Sequence, residues 1–188
     1  MPRLKFCCRH SLFAAAVALL SLTFAHAQCK PPANQTPPLS PSAQASVTLN
    51  GKTITIDYCA PSLKGRKIGD NIVPYDQVWR TGANTSTTLK TEANLHIGDL
   101  AVPAGTYSLY SLPSASGWKL IVNKQTGQWG TVYNEAQDLG RIPMHAGPTP
   151  GSSVEKFEIR FENTKGNKTQ LHLVWGTTNV FVPITAGD

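Results

Sequence analysis

The sequence predicts an all-β domain, an antiparallel two-sheet β-sandwich, with a small β-barrel as the alternative. Two observations carry this. Apolar residues recur at every second position in short runs bounded by Gly, Pro or Asn, and no amphipathic helical window of ordinary length occurs after residue 42. About eight such runs at this spacing suit a sandwich better than a parallel sheet, which would need helical crossovers between strands.

The first run has Val47 and Leu49 alternating with polar neighbours, and Asn50-Gly51 follows as the strongest short hairpin signal. Ile54, Ile56 and Tyr58 alternate on the return strand. Shorter runs occupy residues 87–91, 95–102 with a break at Gly98-Asp99, 106–112 and 118–123. Towards the end, Phe157, Ile159 and Phe161 alternate with Glu158, Arg160 and Glu162 before a turn at residues 163–167. Leu171, Leu173 and Trp175 share one face of the partner strand, and a last strand, 180–184, follows a turn at 176–179. Two longer loops, 60–71 and 134–153, interrupt the pattern, and loops of that length are the usual carriers of function.

Ahead of the domain, residues 1–10 carry Arg3, Lys5 and Arg9 and no acid, an apolar stretch spans 11–24, and Ala25-His26-Ala27 supplies the small-x-small pattern of signal peptidase. Residues 1–27 therefore read as a signal peptide cut between Ala27 and Gln28. An uncleaved anchor is the alternative, and the apolar stretch is short for it. A lipoprotein is the other, because Cys29 lies just past the cut, but Gln28 is not the small residue that lipoprotein signals carry there. Residues 28–42, with Pro31, Pro32, Pro37, Pro38 and Pro41, form a Pro-rich tether, and residues 43–188 a single β domain.

The chain has 17 basic and 11 acidic residues; three basic ones and no acid leave with the signal peptide, so the excess falls from six to three. That surplus gives no case for a nucleic-acid partner. Cys7 and Cys8 also leave, and the remaining pair, Cys29 and Cys59, most simply forms one disulfide in an oxidising compartment; two free thiols are the alternative. The expected location is the periplasm or the extracellular medium, with no transmembrane segment in the mature chain.

Four stretches stand out: Pro61-Ser62-Leu63-Lys64-Gly65-Arg66, Val73-Pro74-Tyr75 continuing to Val78-Trp79-Arg80-Thr81-Gly82-Ala83-Asn84, Ala104-Gly105-Thr106-Tyr107-Ser108-Leu109, and the strand at Trp118. Together they resemble a bacterial exported family described only as a domain of unknown function (DUF2911-like), across nearly the whole domain. Asp70 and Asp76 stand where the family pattern leads one to expect glycine. The resemblance implies an exported β-rich domain and supplies no activity.

Read on their own chemistry, Lys64, Arg66 and Lys67 place three cations on one Gly-containing loop suited to a phosphate or carboxylate, although solvated charges are the plainer reading. Arg80 follows Trp79 in an apolar context and precedes Asn84 and a run of hydroxyls, so it is expected to be partly buried, held by Asp76, Asp57 or carbonyls, or by a ligand. Trp129, in the turn Gly127-Gln128-Trp129-Gly130, is the exposed tryptophan; Trp79, Trp118 and Trp175 read as packing. Alternation turns His96 and His172 outwards, and no histidine pair has metal-ligand spacing, so no metal site and no cofactor is expected. No nucleophile elbow or triad can be nominated.

The expectation is thus a non-catalytic exported sandwich that binds a small or anionic ligand in the cell envelope through Lys64, Arg66, Lys67, Arg80, Asn84 and Trp129. The rivals are an enzyme built on an Arg80-centred anion site and a structural envelope interaction module.

Overall fold

The computed structural model describes Cys29 and residues 40–187. The expected signal peptide, its expected cleavage point and most of the expected tether lie outside the described residues. Twelve strands follow in chain order: β1 (Ser42–Leu49), β2 (Lys52–Cys59), β3 (Thr87–Thr91), β4 (Leu95–Ile97), β5 (Leu100–Val102), β6 (Gly105–Leu112), β7 (Lys119–Asn123), β8 (Asp138–Pro143), β9 (His145–Ala146), β10 (Val154–Lys165), β11 (Lys168–Gly176) and β12 (Thr178–Ala186). One antiparallel sheet has the order β1-β2-β3-β6-β7-β8, and the other β10-β11-β12-β4-β5, with β9 also paired to β12. No barrel closes.

Local chemistry sets the turns. Leu49 pairs with Lys52, and Asn50 and Gly51 both take left-handed φ, 50° and 75°, the two-residue turn whose twist matches a hairpin. The β10–β11 hairpin closes one step later than the sequence pattern suggests. A register irregularity between Glu162 and Lys165, with Asn163 at φ 53°, lets β10 run on to Lys165.

The inner faces bury Leu49, Ile54, Ile56, Leu89, Leu109, Leu120 and Val122 of the first sheet against Phe157, Leu171, Leu173, Val182 and Ile184 of the second. Each such side chain contributes roughly 1.5–3 kcal/mol, so the alternating pattern fixes which face of each strand turns inward. Trp79 sits at the centre of the aromatic part of this core, stacked on Trp175 (5.8 Å between centroids) and edge-on to Phe157 (5.1 Å) and Trp118 (6.3 Å).

Two features depart from the sequence pattern. The segment 134–153 is not one loop: it contains a short 3-10 turn (Glu135–Gln137), β8 and β9. Its strands are hidden in the sequence because Asp138–Pro143, a sheet edge, has only Leu139 and Ile142 as apolar residues, too few to show alternation. His172 lies on the outward side of β11 yet is only 1% exposed. His172 stacks on Phe181 (5.0 Å) and bonds Asn179 Oδ1 (2.9 Å). Asn179 in turn donates to the Pro148 carbonyl (3.0 Å). His96 is exposed, as alternation predicts.

Candidate anion-binding cleft

The site lies on the outer face of the first sheet. Trp79 exchanges two backbone hydrogen bonds with Ser111 at the end of β6 (2.8 and 2.9 Å) and drives its ring into the core. Side chains alternate along extended chain, so the next residue, Arg80, projects to the opposite face. The following turn is tightly determined. Thr81 takes φ 50°, a costly left-handed conformation for a β-branched residue, and Asn84 takes φ 59°. Thr81 is held there by a hydrogen bond between its hydroxyl and that of Ser111 (2.9 Å), and its carbonyl accepts from the Thr87 hydroxyl (2.7 Å). A Cβ on Gly82 would lie 3.0 Å from the Cys59 carbonyl, so only glycine fits.

The disulfide joins Cys29 to Cys59 and packs against Ala83, whose N–H donates to the Cys59 carbonyl (3.1 Å). The bridge therefore buttresses the same turn. It also engages the Cys29 sulfur, which a lipid anchor through that atom would require.

Residues 124–137 fold back over the outer face as a flap. Gln128 donates to the Ser108 and Tyr110 hydroxyls (3.1 and 2.9 Å), and the Tyr133 ring packs on that of Tyr110 (4.9 Å). The far end is fastened by an ionic network: the Tyr133 hydroxyl donates to Asp138 (2.6 Å), and Arg141 bonds Asp138 (3.0 Å), Tyr133 (3.0 Å) and Glu135 (2.7 Å). Burial first, and then the hydrogen bond to Asp138, push the Tyr133 phenol well above the ordinary tyrosine value, so it stays protonated. Burial likewise raises Tyr110.

Between the flap and the 71–80 segment lies a cleft of about 270 Å³, lined by Asn71, Ile72, Arg80, Tyr110, Thr131 and Tyr133 among others. The Arg80 stem lies against Gly130, where any Cβ would collide with it and would sit 2.7 Å from the Asn84 carbonyl. Among the described residues the guanidinium has no acidic partner and no hydrogen bond, and its Nε is fully buried without one. Neither Asp57 nor Asp76 fills that role: Asp57 pairs with Lys90 (3.4 Å) and Gln44 (2.6 Å). Desolvation lowers the Arg80 pKa from its ordinary value, yet a guanidinium remains charged at neutral pH. A buried, unmet donor costs roughly 1–3 kcal/mol, and a charged one more, so this cation is held at a disadvantage to the fold.

The structure divides the residues expected to act together. Lys64, Arg66 and Lys67 are exposed and do not line the Arg80 cleft. The Lys64 N–H donates to Glu155 (2.8 Å), and Arg66 donates to the carbonyls of Leu63 (2.9 Å) and Ser62 (2.8 Å). Arg66 and Lys67 border a separate hollow of about 380 Å³ with Leu63, Ile68, Tyr75 and Thr178. Asn84 serves through its backbone, accepting from the Gly130 N–H (2.8 Å). Trp129 is 43% exposed beside the cleft and bridges Thr85 through its backbone, but does not line it. Nothing in the sequence singles out Thr131, Tyr133 or Asn71. Tyr110 does have a signal, since alternation around buried Leu109 places it on the outer face.

The chain is thus an all-β sandwich whose flap covers a cation without a partner among the described residues. The chain belongs to the family described as protein of unknown function (DUF2911), whose model matches residues 40–184. No curated protein and no solved structure matches it. The geometry gives the family-like stretch Trp79-Arg80-Thr81-Gly82-Ala83-Asn84 a physical reading: a core ring, an outward cation and a turn only these backbone conformations permit. Asp76 adopts φ 60°, the left-handed conformation of the glycine expected there. Among the described residues no helix is long and apolar enough to cross a membrane, and no group of three His, Cys, Asp or Glu is arranged to hold a metal.

Proposed function

We propose that this is a non-catalytic binding protein, exported to the cell envelope, that holds a small anionic ligand on Arg80. One observation carries the reading: a half-buried guanidinium opens into a cleft without any partner from the described protein. A fold that needed Arg80 only as a staple would meet its donors with carbonyls, as it does for Arg66. An anion entering the cleft supplies the missing acceptors, and the low-dielectric surroundings strengthen the pairing. Binding rather than catalysis is supported by the state of Tyr133, whose hydroxyl is engaged by Asp138 and Arg141. Export is supported by the leader and by the disulfide, which suits an oxidising compartment.

The test is an NMR titration of the oxidised protein with acetate, other small carboxylates and inorganic phosphate. Amide shifts should concentrate at residues 79–80 and 130–133 and vanish in Arg80→Met. An absence of shifts there, or identical shifts in the variant, refutes the reading.

A further inference from the structure

The composition of the cleft narrows the class of ligand, provided that Arg80 takes an anion as proposed. Among the described residues Arg80 is the one cation in its lining. Arg141, which bonds the Tyr133 hydroxyl, is occupied by Asp138 and Glu135 and does not line the cleft. A phosphate dianion is ordinarily met by several cations or converging backbone N–H groups, and a lone arginine balances a single negative charge. The charge arithmetic therefore favours a monocarboxylate.

The remainder of the lining speaks to the ligand's body. Asn71 and Thr131 are exposed at the cleft, and their side chains have no hydrogen-bond partner among the described residues. They come from different segments, one from 71–80 and one from the flap, and between them offer an amide and a hydroxyl. Donors and acceptors from two segments lining the cleft of one cation match a ligand that carries several hydroxyls beside its carboxylate. The cleft, about 270 Å³, falls just below the range of sites for drug-sized ligands.

We infer that the Arg80 cleft is a site for a hydroxylated monocarboxylate of monosaccharide size, a sugar acid, with Arg80 on the carboxylate and Asn71 and Thr131 on the hydroxyls. The experiment is calorimetric titration of the oxidised protein with D-glucuronate and D-galacturonate, and with D-glucose, acetate and inorganic phosphate as comparators. At least one uronate should bind tenfold or more tighter than glucose, acetate or phosphate. Binding should be lost in Arg80→Met and weakened three- to tenfold in Asn71→Ala and Thr131→Ala, exposed positions that leave the fold intact. If acetate or phosphate binds as tightly as either uronate and Arg80→Met abolishes it, the sugar-acid assignment is overturned and the anion site stands. If no anion binds, or Arg80→Met binds as wild type, both fall together.

Discussion

Two arginines close together in the sequence meet opposite fates. Arg66 sits on a loop with Lys64 and Lys67, the densest cluster of positive charge in the domain, and its guanidinium donates to two carbonyls of its own loop while the lysines stand in water. Arg80 stands apart from that cluster, half-buried, without a partner among the described residues. The richer patch of charge is the less suggestive one. A solvated cation with its donors met gains little from a ligand, whereas a desolvated one with donors unmet gains each bond the ligand provides. The difference teaches that partner accounting, not charge density, locates the candidate site.

The two regions also differ in how they are held, and that difference can be broken experimentally. Replacing both Cys29 and Cys59 with Ala should cost roughly 3–4 kcal/mol, the chain-entropy value for a loop of this length. Amide exchange should then rise at residues 80–84, which the bridge buttresses, and stay level at residues 64–67; a uniform rise would remove the distinction. Gly130→Ala should cost roughly 1–3 kcal/mol by overpacking, because its Cβ meets the Arg80 stem and the Asn84 carbonyl. Thermal denaturation reads this, and an unchanged midpoint would mean that the flap packs more loosely on Arg80 than these distances require. Neutralising Lys64 and Lys67 should change stability by less than about 0.5 kcal/mol, as for exposed charges in general.

The smallest effect is a pH dependence. Burial, the leading cause for each, raises the pKa of Tyr58, Tyr110 and Tyr133 above the unfolded tyrosine value. A raised folded pKa means that the stabilisation is fully present below the unfolded value and is lost as pH climbs through the folded one. Stability should therefore fall at alkaline pH, from around the ordinary tyrosine pKa upward. Spectrophotometric titration should show these phenols ionising late in the native protein and together on unfolding, and simultaneous early ionisation would contradict the burial of the Tyr110–Tyr133 pair.

Much of the fold is legible in the sequence because strands announce themselves by period. The Asn50-Gly51 hairpin, the break at Gly98-Asp99 and the alternation of Leu171, Leu173 and Trp175 all fall where the sequence places them. Edges and coverings stay hidden. The β8 edge strand has too few apolar residues to alternate visibly, and the burial of His172 depends on neighbours on β12, Phe181 and Asn179, that only strand pairing brings to it. The cleft is half legible for the same reason. Arg80 stands out beside Trp79, but its companions come from a flap some fifty residues on, and only tertiary structure brings Tyr133 and Thr131 to it. Of the expected group, Arg66 and Lys67 border a different hollow from the one that Arg80 lines, a separation that spacing along the chain does not reveal.

The central claim is that the fold keeps Arg80 for a ligand and not for itself, and the most direct measurement is urea denaturation of Arg80→Met against wild type, without added ligand. Methionine preserves much of the stem's packing and removes the desolvated charge. The expected variant is as stable as wild type or more so, by up to about 2 kcal/mol, the signature of a residue retained for function at the expense of stability. A loss of more than about 1 kcal/mol would contradict it, because it would show that Arg80 holds the structure together.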